Sequence, residues 1–373
     1  MSKSIPGAAT RWFREHGRDL PWRQTRDPYC IWVSEIMLQQ TQVATVIPYY
    51  HRFLTRFPDI ASLAAAPLDE LYRLWAGLGY YRRARQMHEA AQIVVAQYEG
   101  RFPTAHEDIL RLPGIGRYTA SAIASFALDA PHGIVEANTQ RLYARLLRIE
   151  LPLENRQAQT QLWEFAESMV RDSDLPAGAT NQALMEIGSQ ICTPRQPQCL
   201  LCPLQAWCKT AKHGDQDRIP IPKPPKVITE LTEAALLIEN ANGEWLMRRC
   251  LPDERWSGLW DFPRFDITSC GTLKESKSRL RSSFRKRFGV DVTIGPQVHS
   301  LKHSVTRYRI QLNGFMASLR GEWSAPPDEQ MQWCTPEKLD QLALCSSGTR
   351  LWHWLLKQSS AQAPSPSVRG KQR

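Results

Sequence analysis

The sequence has no uninterrupted apolar run that approaches the roughly 20 residues needed to cross a bilayer. Its first 25 residues contain Glu15 and Asp19 and lack the apolar segment of a secretory signal. These absences argue against a membrane-spanning chain and against a secreted one. We therefore expect a cytoplasmic protein with no membrane partner.

Acidic residues are in deficit, with 37 Asp and Glu against 47 Lys and Arg, so the formal net charge is +10. This balance permits a polyanionic partner but does not establish one, because many basic proteins never bind nucleic acid. Apolar residues make up 42% of the chain, which is too many for a disordered protein. At 373 residues the chain exceeds the usual size of one hydrophobic core, so two domains are expected.

The patterning along the chain divides it into four segments. Residues 1–213 carry apolar residues at i, i+3 and i+4 spacing, which predicts a mainly helical domain. Alternating prolines in residues 214–226 favour a stiff linker, with an ordered loop packed on one domain as the alternative. Residues 227–357 mix strand-like and helical patterns and predict an α+β domain. Residues 358–373 are rich in Ser, Pro, Gln and basic residues, and we interpret them as a disordered tail.

Cysteine is sparse outside one cluster. Five of the nine cysteines lie far apart and are expected to be small buried hydrophobic residues, namely Cys30, Cys250, Cys270, Cys334 and Cys345. The other four, Cys192, Cys199, Cys202 and Cys208, form the pattern C-x6-C-x2-C-x5-C. A structural zinc site usually has two close Cys pairs, and this pattern has one, so the spacing favours an iron–sulfur cluster over zinc, with disulfides third.

Glycines at positions 114 and 116 stand in a Pro-Gly-x-Gly turn that precedes an Ala-rich helical pattern. Such a turn leaves backbone N–H groups free at a helix N-terminus, and Gly114 and Gly116 let a phosphate approach that backbone closely. The pattern therefore looks like a helix-hairpin-helix, which binds the DNA backbone without reading its sequence.

These features, in this order, resemble the helix-hairpin-helix DNA glycosylases of the endonuclease III superfamily. Four further segments resemble adenine DNA glycosylases of the MutY type and their Nudix-like C-terminal domain. They are residues 20–23 (Leu-Pro-Trp-Arg), 32–43 (Trp-Val-Ser-Glu-Ile-Met-Leu-Gln-Gln-Thr-Gln-Val), 75–85 (Trp-Ala-Gly-Leu-Gly-Tyr-Tyr-Arg-Arg-Ala-Arg) and 258–263 (Gly-Leu-Trp-Asp-Phe-Pro). The resemblance covers nearly the whole chain up to about residue 357.

The resemblance implies a multidomain fold, with a mainly α helix-hairpin-helix glycosylase domain and an α+β Nudix-like lesion-recognition domain. It also implies a [4Fe–4S] cluster held by the four clustered cysteines in the loop 192–208. The expected partner is double-stranded DNA that contains adenine opposite 8-oxoguanine or guanine, bound by a monomer associated with the nucleoid. The expected reaction is hydrolysis of the N-glycosidic bond of that adenine.

Three residues are candidates for catalysis. Glu35 lies among apolar residues, which raises the pKa of a carboxyl group, and the resemblance makes it the general acid that protonates the departing adenine. Without the motif, a glutamate on a solvated helix edge would be the simpler interpretation. Tyr118 stands where glycosylases with lyase activity have a Lys, and a phenol cannot form a Schiff base with the sugar, so a monofunctional enzyme is expected.

Glu136 is the point at which this sequence departs from the family. The family has Asp in an Asp-Gly-Asn-Val segment, and here the corresponding residues are Glu136, Ala137, Asn138 and Thr139. An extra methylene moves the carboxylate by about 1.5 Å, and misplacement on that scale can cost about 100-fold in rate. We expect Glu136 to stabilise the cationic sugar. The alternative is a lesion-binding homologue with reduced or altered catalysis.

The resemblance assigns other residues to binding. Asn138 and Gln182, with Arg23 and Arg26 nearby, match positions around the adenine pocket. The residues that match the wedge inserted into the duplex while adenine is flipped out are Gln39, Gln40, Thr41, Gln42 and Tyr80.

The Nudix-like half differs from Nudix hydrolases. Lys286 and Arg287 stand in the places of metal-binding carboxylates, which argues against metal-dependent pyrophosphate hydrolysis and favours a basic surface that faces DNA. The best match to the family's lesion-recognition loop is residues 303–307, in which Thr306 keeps a hydroxyl and Arg307 replaces a histidine. A shifted register that pairs His299 with His303 is the alternative.

Overall fold

The computed structural model describes residues 4–171, 173–223, 227–321 and 330–362, without the side chains of residues 359–362. The chain forms two compact units. The first comprises Met1–Leu68 and Arg82–Pro225, and the second comprises Asp69–Tyr81 and Lys226–Arg373. Residues 69–81, which the sequence pattern groups with the helical domain, thus belong to the second unit.

Helices dominate the chain up to residue 213, as the apolar spacing predicts. They are α1 (Ile5–His16), α2 (Pro28–Leu38), α3 (Val43–Arg56), α4 (Ile60–Ala65), α5 (Leu68–Trp75), α6 (Arg82–Gln97), α7 (His106–Arg111), α8 (Arg117–Leu128), α9 (Ala137–Leu147), α10 (Arg156–Arg171), α11 (Ala177–Gln190) and α12 (Lys209–His213). No helix in the described part of the chain is long and apolar enough to cross a membrane.

Helix α2 runs through the interior of the first unit. The Asp27 carboxylate caps it by accepting from the Tyr29 N–H at 2.8 Å, and Pro28 occupies its first turn. From Ile31 to Met37 every residue is buried, so the helix has no solvated face. A polar side chain on α2 is therefore held in an apolar environment.

The predicted hairpin joins α7 to α8. Gly114 adopts a φ of 77°, in the left-handed region that glycine favours. A Cβ there would come within 2.8 Å of the Gln86 Cβ, so glycine also permits close packing against α6. Gly116 then caps α8 with its backbone alone.

The second unit contains two sheets. Its strands are β1 (Thr229–Ile238), β2 (Trp245–Arg249), β3 (Trp260–Asp261), β4 (Arg264–Asp266), β5 (Asp291–Val305), β6 (Tyr308–Arg320) and β7 (Met331–Cys334). One sheet has the order β4-β1-β6-β5 and the other β3-β2-β7. The parallel pair β1–β6 extends from Thr229↔Tyr308 to Ile238↔Ala317.

Besides most of α5, the helices described in this unit are α13 (Leu273–Phe288), α14 (Pro336–Gln341) and α15 (Ser346–Gln362). Alternate residues of β1 face opposite sides of the sheet. Leu236 packs in a core with Phe284 of α13, whereas Leu237 packs in a core with Trp352 of α15. The combination of strands and helices confirms the predicted α+β class.

Three expectations need correction. The predicted disordered tail begins at residue 358, but α15 continues to Gln362, and residues 363–373 lie outside the described residues. For the first part of the predicted linker the alternative of an ordered loop packed on one unit holds, because Ile219 is buried and its carbonyl accepts from Arg145 Nε at 2.8 Å. Residues 224–226 are not described. Of the five scattered cysteines, Cys30 and Cys270 are only half-buried.

Candidate active site

A cleft of about 740 Å³ in the first unit brings together most of the residues that the sequence analysis singles out. The predicted residues that line it are Arg23, Glu35, Gln39, Gln40, Thr41, Gln42, Gly116, Tyr118, Glu136, Asn138 and Gln182. They come from a short 3-10 turn at Pro21–Arg23, from α2 and the turn after it, from the start of α8, from the start of α9 and from α11. These predicted residues supply two carboxyl groups, a phenol and several amides, and a third carboxyl group in the lining, that of Glu186, is paired with Arg23.

Glu35 is the buried acid of this cleft, with only 3% of its surface exposed. Burial on α2 raises the pKa of its carboxyl group from 4.5 to about 7, and the nearby Glu136 carboxylate adds to the rise. Tyr118 Oη donates a hydrogen bond to Glu35 Oε2 at 2.5 Å, which opposes the rise by favouring the carboxylate. Glu35 therefore titrates near neutral pH and can hold a proton there.

Tyr118 is the second residue of α8, directly after the hairpin. Its pKa lies well above the usual value, because the phenol is buried and faces the carboxyl groups of Glu35 and Glu136. The phenol therefore keeps its proton and acts as a hydrogen-bond donor. Its contact with Glu35 depends on the hairpin, which sets where α8 begins.

Glu136 caps the N-terminus of α9. Its carboxylate accepts from the Thr139 N–H at 2.8 Å and from the Asn138 N–H at 2.9 Å, while Thr139 Oγ1 accepts from the Glu136 N–H. Burial raises the pKa of Glu136 despite these donors. Because the donors favour the ionised form, Glu136 is the better candidate for the carboxylate and Glu35 for the acid.

Arg141 on α9 holds this cap in place and is not indicated by the sequence analysis. Its Nη2 donates to Asn138 Oδ1 at 3.0 Å and to the Gly188 carbonyl at 2.5 Å, and its Nε donates to the Cys192 carbonyl at 2.6 Å. A guanidinium has only donors, so the Asn138 amide oxygen must face it. The Asn138 amide nitrogen then donates to Glu136 Oε2 at 3.2 Å.

Arg83 is a second residue whose role no motif in the sequence indicates. Its Nη1 donates to the carbonyls of Ile36, Met37 and Gln39 at 2.7, 3.2 and 2.5 Å. These carbonyls lie at the C-terminal end of α2, where a helix leaves such groups without an intrahelical partner. Arg83 thus fixes the end of the helix that carries Glu35. The only sequence signal is its position in the segment 75–85.

The two predicted arginines have different surroundings. Arg23 lines the cleft, but its guanidinium donates to Glu186 Oε2 at 2.7 Å and to the Arg18 carbonyl at 2.8 Å. Arg26 does not line the cleft and pairs with Asp129 at 2.7 Å. Both guanidinium groups therefore already have protein partners.

Three predicted residues belong to the second unit. Tyr80 is half-exposed with a φ of 49°. Thr306, with a φ of 53°, and Arg307 form the two-residue turn between β5 and β6. Both are exposed, and Arg307 Nη2 donates to Tyr308 Oη at 3.1 Å. They stand at the tip of a hairpin, where side chains can meet a ligand.

The four clustered cysteines line a second, smaller cavity of the first unit. Arg145 Nη1 donates to Cys192 Sγ at 3.3 Å, and the Ala211 N–H donates to Cys208 Sγ at 3.4 Å. Within the described ranges, no three His, Cys, Asp or Glu residues form a group suited to a single metal ion. Four cysteine thiols are the ligand set of an iron–sulfur cluster, and the two N–H donors directed at sulfur would stabilise the thiolate forms.

Comparisons with known proteins match both units. A model described as HhH-GPD superfamily base excision DNA repair protein matches residues 33–168, and a NUDIX domain model matches residues 234–354. The chain is 37% identical over 278 residues to the adenine DNA glycosylase of Buchnera aphidicola subsp. Schizaphis graminum, which covers 74% of this chain and 79% of that protein. It is 40% identical over 267 residues to the adenine DNA glycosylase of Rattus norvegicus, covering 68% and 49%.

One solved structure of a similar protein is a thermostable thymine-DNA glycosylase. Its TM-score is 0.51 at 30% identity, and the match covers 56% of this chain and 95% of that one. These matches confirm the predicted helix-hairpin-helix glycosylase fold and the Nudix-like fold after it.

The raised pKa of Glu35 predicts how the free energy of unfolding depends on pH. The folded state binds a proton at Glu35 more tightly than the unfolded chain does, so this group stabilises the fold at acid pH and that stability is lost as pH rises from 4.5 through about 7. Glu35→Gln cannot ionise. The free energy of unfolding of Glu35→Gln minus that of the wild type should increase by up to about 3 kcal/mol between pH 4.5 and pH 8. Urea denaturation at the two pH values measures this difference.

Glu164→Gln is the control, because Glu164 is an exposed carboxylate on α10. Its difference from the wild type should be nearly the same at both pH values. A Glu35→Gln difference that does not change with pH would show that Glu35 ionises normally in the folded protein.

Proposed function

Since this chain belongs to the adenine DNA glycosylase family, we propose that it removes adenine paired with 8-oxoguanine or guanine from double-stranded DNA and leaves the strand intact. Hydrolysis of an N-glycosidic bond requires one group that protonates the departing base and another that stabilises the cationic sugar. The observation that carries the proposal is the pair of carboxyl groups in one cleft, of which Glu35 is the acid and Glu136 the carboxylate.

Glu35 has the properties of the general acid. It titrates near pH 7, so a large fraction is protonated at neutral pH, and the proton is available to a base that enters the cleft. Tyr118 orients the carboxyl group by its hydrogen bond to Oε2. When the proton leaves, the same bond stabilises the carboxylate that remains.

Glu136 takes the second role. Its carboxylate lies at the N-terminus of α9, held by the N–H groups of Asn138 and Thr139, and its negative charge opposes the positive charge that develops on the sugar. The longer side chain compared with Asp fits because the carboxylate returns to its own helix in a capping box. This geometry favours an adapted active site over an inactive binder.

Tyr118 supports a monofunctional reaction. It fills the site next to Glu35 at which a lysine amine would be needed to form a Schiff base with the sugar. A phenol with a strongly raised pKa is a poor nucleophile. The expected product is therefore an abasic site in an intact strand.

Recognition of the flipped adenine is assigned to the amides of Asn138 and Gln182. Both line the cleft, and amide groups can pair with the edge of a base. The wedge is assigned to the turn 39–42, in which Gln40 has a φ of 58°, and to Tyr80. Recognition of 8-oxoguanine is assigned to Thr306 and Arg307 at the β5–β6 turn.

The four cysteines are proposed to hold a [4Fe–4S] cluster that supports the loop 192–208. Arg145 joins this loop to α9, because its Nη1 also donates to the Thr193 carbonyl at 2.7 Å. When bound, the cluster would supply cross-links between the four thiolates. The protein is further proposed to act as a monomer in the cytoplasm, at the nucleoid.

The cluster proposal is tested by metal analysis of the purified protein. We expect about four iron and four sulfide per chain, with visible absorbance. Cys202→Ser should lower the iron content, whereas Cys270→Ser, at a half-buried cysteine of the second unit, should leave it unchanged. Stoichiometric zinc without iron would contradict the proposal.

The reaction is tested on duplexes that carry adenine opposite 8-oxoguanine, guanine or thymine, under single-turnover conditions. Strand breaks should appear only after alkali treatment, and only for the first two pairs. Glu35→Gln should abolish adenine release because an amide is not acidic enough to transfer a proton to the departing base. Glu136→Asp should slow it by about 10- to 100-fold, because shortening the side chain moves the carboxylate from its position.

The outcomes separate the alternatives. Tight binding of the lesion duplex without any alkali-dependent break would identify a lesion-binding homologue. A large gain of activity in Glu136→Asp would show that the glutamate impairs catalysis. Breaks without alkali would contradict the monofunctional assignment.

A further inference from the structure

Helix α13 is strongly basic. Its 16 residues include one acidic residue, Glu275, and seven basic residues, namely Lys274, Lys277, Arg279, Arg281, Arg285, Lys286 and Arg287. The catalytic proposal uses none of these side chains.

The helix turns only a narrow apolar stripe towards the core. Its buried residues are Ser276, Leu280 and Phe284, which are spaced by four and lie on one side. Leu280 and Phe284 pack in the core that α13 shares with the four-stranded sheet. The remaining sides of the helix therefore face outwards.

Few of the positive charges are neutralised within the protein. The Glu275 carboxylate turns back and accepts from the Gly271 N–H at 2.8 Å. Arg281 pairs with Asp291, and Arg287 Nη2 pairs with Glu254 Oε1 at 3.0 Å. In the part of the chain that the structure describes, no ion pair involves the other five, which are Lys274, Lys277, Arg279, Arg285 and Lys286.

Three of the exposed basic residues form a line along the helix together with one serine, and the half-buried Lys277 lies beside this line. Lys274, Ser278, Arg281 and Arg285 are spaced by four, three and four residues, so they share one face. With a rise of 1.5 Å per residue, this face is about 17 Å long. Arginine and lysine side chains and serine hydroxyls are among the groups that contact DNA phosphates.

We propose that the outward face of α13 is a sequence-independent binding surface for the phosphate backbone of undamaged duplex DNA. A lipid surface fits less well, because a membrane-binding helix needs an apolar face in addition to its cations, and the apolar residues of α13 point into the core except Leu273 at its start. The inference rests on the proposed function in one respect only, which is the identification of the polyanion as DNA. Such a surface would hold the protein on DNA while it searches for lesions.

The test compares wild type with the triple variant Lys274→Gln, Lys277→Gln, Arg285→Gln in the full-length protein. The probe is a fluorescent 30-bp duplex without mispair or 8-oxoguanine, titrated at several salt concentrations. The slope of log affinity against log salt falls by about 0.9 for each phosphate contact that is lost. We expect the slope to weaken by 2 to 3 in the triple variant, at about 0.9 for each of three contacts.

The matched control removes the same charge elsewhere, with Arg101→Gln, Lys338→Gln and Lys357→Gln, all exposed positions outside α13. An equal loss of slope in the control overturns the proposal, because net charge alone would explain it. An unchanged slope on DNA also overturns it, and if a duplex RNA of the same length then loses affinity, RNA is the partner instead.

Two further measurements check that the variants fold normally and keep their activity. Thermal unfolding should show the same midpoint in the wild type and both triple variants. Adenine release at saturating enzyme should also be unchanged, because α13 is outside the catalytic machinery. Since the probe contains no mispair, failure of this proposal leaves the glycosylase proposal intact, and an inactive glycosylase would not affect the salt slopes.

Discussion

The proposed active site depends on the burial of one carboxyl group. Glu35 lies on a helix whose neighbouring residues are all buried, and this environment raises its pKa to about 7. A fully buried carboxylate is costly unless donors stabilise it. Tyr118 supplies one donor at 2.5 Å, enough to orient the group without returning its pKa to the ordinary value. The balance between burial and this single bond makes Glu35 an acid at neutral pH.

The second carboxylate, that of Glu136, differs from Glu35 in its hydrogen-bond partners. Glu136 lies at a helix N-terminus and accepts from backbone N–H groups, whereas Glu35 faces a phenol. Two carboxyl groups in one cleft therefore have distinct protonation preferences. Hydrogen bonds of 2.6 to 3.2 Å connect Glu136 through Asn138 and Arg141 to the carbonyl of Cys192. The Glu136 cap and the cysteine loop are thus fixed by the same helix.

Much of this organisation could be predicted from the sequence because local patterns determine it. The apolar residues around Glu35 indicate its burial, and the two glycines of the hairpin indicate a turn before a helix. The roles of Arg83 and Arg141 could not be predicted, because both bind backbone carbonyls 44 to 51 residues away, and nothing in the sequence marks a carbonyl as lacking a partner. The same limit applies to residue 219, whose carbonyl binds Arg145 and holds part of the predicted linker against the first unit.

The most direct test of this account is the pH dependence of adenine release under single-turnover conditions, in wild type and in Tyr118→Phe. If Glu35 is the acid, the wild-type rate falls as pH rises through about 7, because the proton is lost. Removal of the phenol deletes a bond that lowers the pKa of Glu35, so the fall should move to higher pH in Tyr118→Phe. A wild-type rate that stays constant through pH 7, or a fall that moves to lower pH in the variant, would contradict the account.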